Sequence, residues 1–108
     1  MMLYPGKRQV LLFYNNNGIA TKEKQLTLLN NEKQGVEERD IEIRTYDVSN
    51  AKEAHHWKVP ASASFTFILV GKDGGEKLRI DTVVSTTQLF AVIDAMPMRK
   101  EEMKSGHK

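Results

Sequence analysis

The sequence predicts an α/β domain with a central four-stranded mixed sheet and helices on both faces. Two continuously apolar segments, VLLFY at residues 10–14 and FTFILV at residues 65–70, are typical of strands that are covered on both sides. Two segments of alternating polarity, IEIRTYDV at residues 41–48 and EKLRI at residues 76–80, are typical of strands at a sheet edge. With the helical patterns between and after them, the predicted order is β-α-β-α-β-β-α.

The first half of the chain is predicted to form a strand, a helix and a second strand. The strand over residues 7–14 belongs in the middle of the sheet, and a helix over residues 20–33 follows it. Gln34 and Gly35 are expected to stop this helix before the edge strand. Helical spacing places Ile19, Leu26 and Leu29 on the buried side of the helix, and Lys22, Lys24 and Gln25 on its solvent side.

The next segments predict a short helix and a hairpin. Ser49 or Asn50 is a suitable cap for a helix over residues 51–57, which the dipeptide at residues 59–60 ends. The glycine-rich turn GKDGG at residues 71–75 supplies the backbone freedom that a tight antiparallel hairpin needs. The outer strand of this hairpin is expected to turn its basic side chains to solvent on one shared face, where they are Lys77 and Arg79.

The last predicted helix begins at Ser85, where Gln88 completes a capping box, and it ends at Pro97. Its apolar stripe consists of Leu89, Phe90, Val92, Ile93 and Met96. We therefore expect residues 7–103 to form one domain, with residues 1–6 as an N-terminal extension and residues 104–108 as a flexible tail.

Composition excludes several classes of protein and leaves the compartment open. The formal charge of +2 is spread along the chain, which is weak support for a polyanion partner, and no apolar run approaches the roughly 20 residues of a membrane span. In the opening MMLYPGKRQ, the apolar stretch before the basic residues is too short for a secretory signal. The absence of cysteine excludes disulfides, thiolate nucleophiles and cysteine-ligated metals, but a chain without cysteine suits either redox environment.

The predicted order, a parallel β-α-β unit joined to a β-β-α unit, is the arrangement of the thioredoxin-like core. Two segments, FILVGKDGGEKLR at residues 67–79 and VSTTQLFAVIDAMPMRKEEM at residues 84–103, resemble the thioredoxin-like P-DUDES family, and GVEERDIEI at residues 35–43 is similar to its turn into the second strand. The resemblance implies a thioredoxin-like fold and no settled activity. It also implies relatives among small bacterial proteins and vertebrate extracellular matrix proteins, which are often exported.

Thioredoxin-like enzymes place a reactive dithiol after the first central strand, where the N-terminus of a helix lowers the thiol pKa. In this chain that position holds Asn15, Asn16, Asn17 and Gly18, which cannot form a thiolate. Such enzymes also carry a cis-proline before the next central strand, whereas the equivalent SASFT at residues 62–66 has no proline. Disulfide exchange and thiol peroxidase activity are therefore excluded for this chain.

The asparagine run has two interpretations. In the simpler one it is only a loop, because asparagine caps helices and tolerates left-handed backbone angles. In the functional one, free amides at the helix end and the asparagine carboxamides bind a small anion or a carboxylate. A phosphate loop is a poor match, since Gly18 is a single glycine and Lys22 lies too far along the helix.

The histidines at His55 and His56 do not predict a metal site. Neighbouring helix positions point about 100° apart, and no third ligand lies at a suitable spacing. We expect them to be partly exposed beside Trp57. No motif for a cofactor is present.

A set of four basic residues, Lys72, Lys77, Arg79 and Arg99, is the second candidate surface. In the simpler interpretation the edge charges prevent unwanted strand pairing, and Arg99 pairs with Asp94 or Glu102. In the alternative interpretation, the four basic residues bind an acidic protein segment or a sulfated glycan. Nucleic acid is not expected, because these strands lack the aromatic residues that stack on bases.

The sequence thus supports first a redox-inactive module that binds a protein or an anion. A second hypothesis is an enzyme of unknown, non-thiol class that uses the pocket at the first helix, with His55, His56 or Asp73 as acid or base. A third is a structural domain that self-associates. Oligomeric state and physiological role do not follow from the sequence.

Overall fold

The computed structural model describes residues 6–49 and 52–105. In its first half the elements are β1 (Arg8–Tyr14), a 3₁₀ helix (Asn16–Gly18), α1 (Ile19–Asn31), α2 (Lys33–Glu38) and β2 (Ile41–Asp47). In its second half they are α3 (Lys52–His56), β3 (Phe65–Val70), β4 (Glu76–Ile80), α4 (Thr86–Asp94) and α5 (Pro97–Ser105). Most of the expected N-terminal extension, the alternative cap Asn50 and the last three residues lie outside the described residues.

The sheet has the strand order β2-β1-β3-β4. β1 pairs with β2 in parallel, from Arg8 with Ile41 to Tyr14 with Asp47. β3 runs antiparallel to both β1 and β4. The two continuously apolar strands therefore lie in the centre and the alternating strands at the edges, which confirms the predicted fold class.

Helices cover both faces of the sheet and create two separate apolar clusters. One face of β1 and β3 contributes Val10, Leu12, Phe67 and Leu69, which pack with Leu29, Val36, Leu89 and Ile93 of the helices α1, α2 and α4. The opposite face contributes Leu11, Phe13, Ile68 and Val70, which pack with Val48, Ala54 and Val59 around α3. Because strand side chains alternate between the two faces, each central strand must be apolar throughout.

The predicted orientation of α1 is wrong at two positions. Gln25 was expected in solvent but is fully buried, and Ile19 was expected in the core but is 45% exposed. The Gln25 carboxamide donates to the carbonyl oxygen of Val84 at 2.9 Å and accepts from the Val84 amide at 2.8 Å. This pair of bonds ties α1 to the loop before α4, so a polar residue occupies a core position.

The expected helix stop at Gln34 and Gly35 is also wrong. The helical chain breaks at Glu32, whose backbone angles are φ −118° and ψ 37°, and α2 then continues through Gly35. Gly35 allows a close approach instead, since a Cβ atom there would lie 2.7 Å from the Phe90 ring. The turn into β2 is made by Asp40, which has a positive φ of 53°.

The segment from Pro97 to Ser105 forms a further helix, α5, that is absent from the predicted order of elements. Pro97 takes the first position of α5, where its missing N–H and fixed φ are compatible with a helix, whereas α4 already ends at Asp94 and not at Pro97 as expected. Lys104 and Ser105, which were assigned to the flexible tail, belong to this helix. Its inner side carries Arg99, which is 5% exposed.

Replacing Gln25 by leucine tests the polar tie between α1 and the α4 loop. We expect the free energy of unfolding to fall by about 2–3 kcal/mol, because the amide and carbonyl of Val84 lose their buried partners. Urea denaturation measures this loss. Gln34→Leu, at an exposed helix position, is the control and should change stability by less than about 0.5 kcal/mol; equal effects of the two changes would contradict the structural role of Gln25.

Candidate functional site

A groove lies at the end of β1, where the chain leaves the sheet and enters α1. The Asn15 amide donates to the carbonyl oxygen of Ser64 at 3.0 Å, which joins this exit to the loop before β3. The groove has a volume of about 420 Å³, and its polar lining consists of Thr21, Lys24, Ser64, Asp81 and Thr82. We call it the α1 groove. It is bounded by the first turns of α1, the loop before β3 and the loop after β4.

The asparagine run caps the helical segment that leads into α1, and neither its three asparagines nor Gly18 lines the α1 groove. The Asn15 side-chain oxygen accepts from the Asn17 amide at 2.8 Å, and the Asn15 carbonyl accepts from the Gly18 amide at 2.9 Å. Asn16 and Asn17 are exposed. The capping role is confirmed, whereas none of the three asparagines has a left-handed φ. Two amides of the loop are thus already bonded within the chain.

Gly18 is required by the close approach of two backbone segments. It is buried, and a Cβ atom built on it would collide with the carbonyl group of Ser64. Its φ of −106° is accessible to any residue, so the constraint is space and not backbone angle. A side chain here would push the start of α1 away from the loop before β3.

The charged side chains of the α1 groove form no ion pair among the described residues, although Asp81 adds to the effect by which Glu76 raises the pKa of Arg79. Lys24 and Asp81 are both exposed, and within residues 6–49 and 52–105 neither forms an ion pair or a side-chain hydrogen bond. Neighbouring Lys22 differs, because its ammonium contacts Glu23 at 3.0 Å and lies 4.4 Å from the centre of the Tyr14 ring. The groove therefore combines one available cation, one available carboxylate and several hydroxyl groups.

Each of the four basic residues predicted as a second surface has a carboxylate partner. Lys72 contacts Asp40 at 2.9 Å and Glu102 at 2.7 Å. The remaining pairs are Lys77 with Asp73 at 3.0 Å, Arg79 with Glu76 at 2.9 Å, and Arg99 with Glu38 at 2.9 Å and Asp94 at 3.3 Å. The expected pairing of Arg99 with Asp94 is confirmed. Much of the positive charge of this set is neutralised within the domain.

The shared face predicted for Lys77 and Arg79 is wrong. Arg79 donates to the carbonyl oxygen of Trp57 at 2.6 Å, beside α3. Lys77 lines a cavity together with Val92 and Met96, which belong to the α4 side of the sheet. A register shift between β3 and β4 at Leu69 and Val70 breaks the two-residue alternation and separates the two side chains.

A network of buried charges between β1 and α5 was missed in the sequence. Arg8 is 1% exposed, and its guanidinium donates to the Arg39 carbonyl at 2.8 Å and to both carboxylate oxygens of Glu102 at 3.3 Å. Glu102 also accepts from Lys72 at 2.7 Å. The only available sequence signal was an arginine at the start of an otherwise apolar central strand.

The carboxylates of this network have lowered pKa values. Burial works to raise the pKa of Glu102, but the hydrogen bonds from Lys72 and Arg8 outweigh burial and hold that pKa below its usual range. The hydrogen bond from Arg39 lowers the pKa of Asp94. In the opposite sense, Asp40 and Glu102 raise the pKa of Lys72 although its burial opposes this. All of these groups are therefore ionised at neutral pH.

The residues named for acid or base chemistry do not converge on the α1 groove. His55 and His56 are exposed on α3, and the His56 ring meets the Trp57 ring edge-on with centroids 5.2 Å apart. Asp73 lies in the β3–β4 turn and accepts from the Gly75 amide and from Lys77. None of the three lines the α1 groove.

Within residues 6–49 and 52–105, no three side chains of the types that bind metals come together as a set of ligands. No helix in these segments is long and apolar enough to cross a bilayer.

Residues 3–102 match the model of a family described as a domain of unknown function, DUF4174. The chain belongs to the DUF4174 family. The match covers almost the whole sequence, including the α1 groove and the charge network. A comparison with curated proteins finds no match.

The DUF4174 domain has the thioredoxin fold. The structure of a malarial protein shares 23% identity with this chain and has a TM-score of 0.64, and the match covers 82% of this chain and 96% of that one. Thioredoxin-2 of the malaria parasite shares 22% identity, with coverage of 83% and 84% and a TM-score of 0.65. A Fasciola hepatica thioredoxin shares 17% identity, with coverage of 86% and 85% and a TM-score of 0.60. At these identities the likeness shows the fold alone.

Replacing Gly18 by alanine tests the close approach at the α1 groove of the DUF4174 domain. We expect a loss of about 1–3 kcal/mol in the free energy of unfolding, because the added methyl group must displace the Ser64 backbone. Urea denaturation measures it. Gly6→Ala is the matched control, since no atom lies within 4 Å of a Cβ at that position; a Gly18 variant as stable as this control would contradict the prediction.

Replacing Glu102 by glutamine tests the charge network of the domain. At pH 7 we expect the variant to lose about 1–3 kcal/mol, because Arg8 and Lys72 lose a charged acceptor. The lowered folded-state pKa of Glu102 stabilises the native protein above the unfolded-state pKa, and this stabilisation disappears as the pH falls through the folded-state value. The difference between the two proteins should therefore shrink as the pH falls from about 5 towards about 2.

Urea denaturation at several pH values gives this profile. Glu101→Gln is the control, because Glu101 is 75% exposed and its carboxylate lies 3.9 Å from Lys104. It should have almost no effect at any pH. A Glu102 variant whose deficit stays constant down to the acid end would show that the carboxylate charge is not what stabilises the network.

Proposed function

We propose that this chain is a redox-inactive binding module and that it binds a segment of a protein partner in the α1 groove. Its lack of thiol chemistry rests on the sequence, which contains no cysteine. The observation that carries the binding proposal is the pair of unpartnered, opposite charges in one groove, Lys24 and Asp81, among the described residues.

The charges of the groove favour a polypeptide over a simple anion. A peptide offers both signs of charge, as well as backbone groups for the hydroxyls of Thr21, Ser64 and Thr82. A small anion would need free amides at the start of α1, but those of Asn17 and Gly18 are already bonded to Asn15. Asp81 would also repel it.

The basic set is the weaker candidate for this role. Every one of its cations already contacts a carboxylate, so a ligand must compete with an intramolecular partner before it gains an ion pair. The resemblance of residues 67–79 and 84–103 to the P-DUDES family supports a binding role without chemistry, because that resemblance implies matrix proteins and no settled activity.

Selection of peptides from a random displayed library tests the proposal. Enriched peptides are synthesised with a fluorophore, and their affinities for the wild-type protein and for the double variant Lys24→Ala/Asp81→Ala are measured by anisotropy. We expect the double variant to bind at least about tenfold more weakly, as is usual when the central polar contacts of an interface are removed. Glu101→Ala/Lys104→Ala removes an equivalent opposite-charge pair on α5 and should leave the affinity unchanged.

Equal binding by wild-type protein and the groove variant would overturn the proposal. An amide NMR titration with sodium sulfate tests the alternative, in which the loop binds a small anion. Saturable shifts at Asn16 and Ile19 would show that the loop is an anion site and that the partner is not recognised as proposed. We expect sulfate to cause only small, unsaturated shifts there.

A further inference from the structure

A second cavity lies between the β3–β4 turn and the α4–α5 junction. Its volume is about 560 Å³, within the range of small-molecule sites. The β3–β4 hairpin contributes Lys72, Asp73 and Lys77, and the segment from α4 to α5 contributes Val92, Met96 and Met98. We call it the hairpin cavity. It adjoins the Arg8 end of β1, whereas the α1 groove adjoins the Tyr14 end, so the two are separate.

Arg8 lies in the inner wall of the hairpin cavity. It shares the face of β1 that carries Val10 and Leu12, which pack against α4, so its side chain is directed to the α4 side of the sheet. Both terminal nitrogens of the guanidinium are used by the Arg39 carbonyl and by Glu102. The buried Nε has no hydrogen-bond partner among the described residues.

Among the described residues, the Nε of Arg8 is the buried side-chain nitrogen that lacks a hydrogen-bond partner. The Nε atoms of Arg39 and Arg99 both donate to Asp94, and that of Arg79 donates to Glu76. A buried N–H of a charged group without an acceptor is costly, and such groups in native proteins normally have a partner. Arg8, a lining residue of the cavity, therefore keeps one buried donor without an acceptor among the described residues.

The lining of the cavity defines the chemistry of a complementary ligand. Three lining side chains are cations, Arg8, Lys72 and Lys77, and one is a carboxylate, Asp73. The opposite wall is apolar and is formed by Val92, Met96, Pro97 and Met98. A carboxylate suits the donors of the first wall, and a short hydrocarbon body suits the second.

We propose that the hairpin cavity binds a small carboxylate with an apolar body, of the class of medium-chain fatty acids, which takes the acceptor position at the Nε of Arg8 and competes with Asp73 for the ammonium of Lys77. The proposal does not depend on the peptide site in the α1 groove. It uses the one side of Arg8 that the charge network leaves unbonded, so the network keeps its contacts when the ligand binds.

Octanoate below its micelle concentration is the probe, and the neutral octanamide is its matched analogue. In ¹H–¹⁵N NMR titrations of the wild-type protein, octanoate is expected to shift the Nε–H resonance of Arg8 saturably, together with the amides of Lys77 and Met96. The Nε–H resonances of Arg39 and Arg79, which already donate to carboxylates, should stay in place. Octanamide is expected to bind at least about tenfold more weakly, because it lacks the charge that strengthens the hydrogen bonds.

Two variants and a control complete the test. Ala95→Trp fills the cavity from an exposed position of its lining and should weaken octanoate binding at least about tenfold without removing a charge. Lys77→Ala removes a partly exposed cation and should weaken it about threefold. Lys100→Ala removes an exposed lysine of α5 outside the cavity lining and should have no effect.

The outcomes separate clearly. No saturable binding of octanoate at millimolar concentration would overturn the proposal, as would binding that survives Ala95→Trp. Equal affinities for octanoate and octanamide would show that the cavity binds only the apolar chain and does not recognise the carboxylate, which would also overturn the proposal. Movement of the Arg8 Nε–H resonance with octanoate, lost in the Ala95 variant and kept in the Lys100 variant, would support it.

Discussion

The buried guanidinium of Arg8 is the interaction on which the surrounding structure most depends. A charge in the interior must be matched by acceptors, because the desolvation it suffers is not otherwise compensated. Here the acceptors come from the Arg39 carbonyl before β2 and from Glu102 on α5. One side chain thereby joins the central strand, the turn into the edge strand and the last helix, and the position of α5 follows from its need for Glu102.

Around this anchor, charges are arranged so that each buried cation has a carboxylate within reach. Lys72 shares Glu102 with Arg8, and Arg39 shares Asp94 with Arg99. The guanidinium of Arg39 also stacks 3.9 Å above the Phe90 ring, which uses its planar face as well as its donors. The short α5 is polar over most of its length, so these ion pairs hold it where an apolar stripe would otherwise be needed.

The two candidate sites lie at opposite ends of β1 and differ in how their polar groups are satisfied. At the Tyr14 end, a glycine and an asparagine cap bring two loops together, and unpaired charges surround the resulting groove. At the Arg8 end, a nearly complete network leaves a single donor beside an apolar wall. In this chain, which has no thiol, the thioredoxin fold thus carries the two binding sites that we propose.

Sequence patterns by themselves determined which strands lie in the centre of the sheet and which lie at its edges. The absence of cysteine determined that the protein cannot carry out thiol chemistry. Strand burial is recorded locally, because an apolar run or a two-residue alternation reflects how many faces of a strand are covered. Only the tertiary structure decided that Gln25 is buried, that Arg8 is a core residue and that Lys77 and Arg79 lie on opposite sides of the sheet. The burial of Gln25 depends on Val84, that of Arg8 depends on Glu102, and the placement of Lys77 and Arg79 depends on the register between β3 and β4. A local sequence pattern holds no information on contacts with such distant segments.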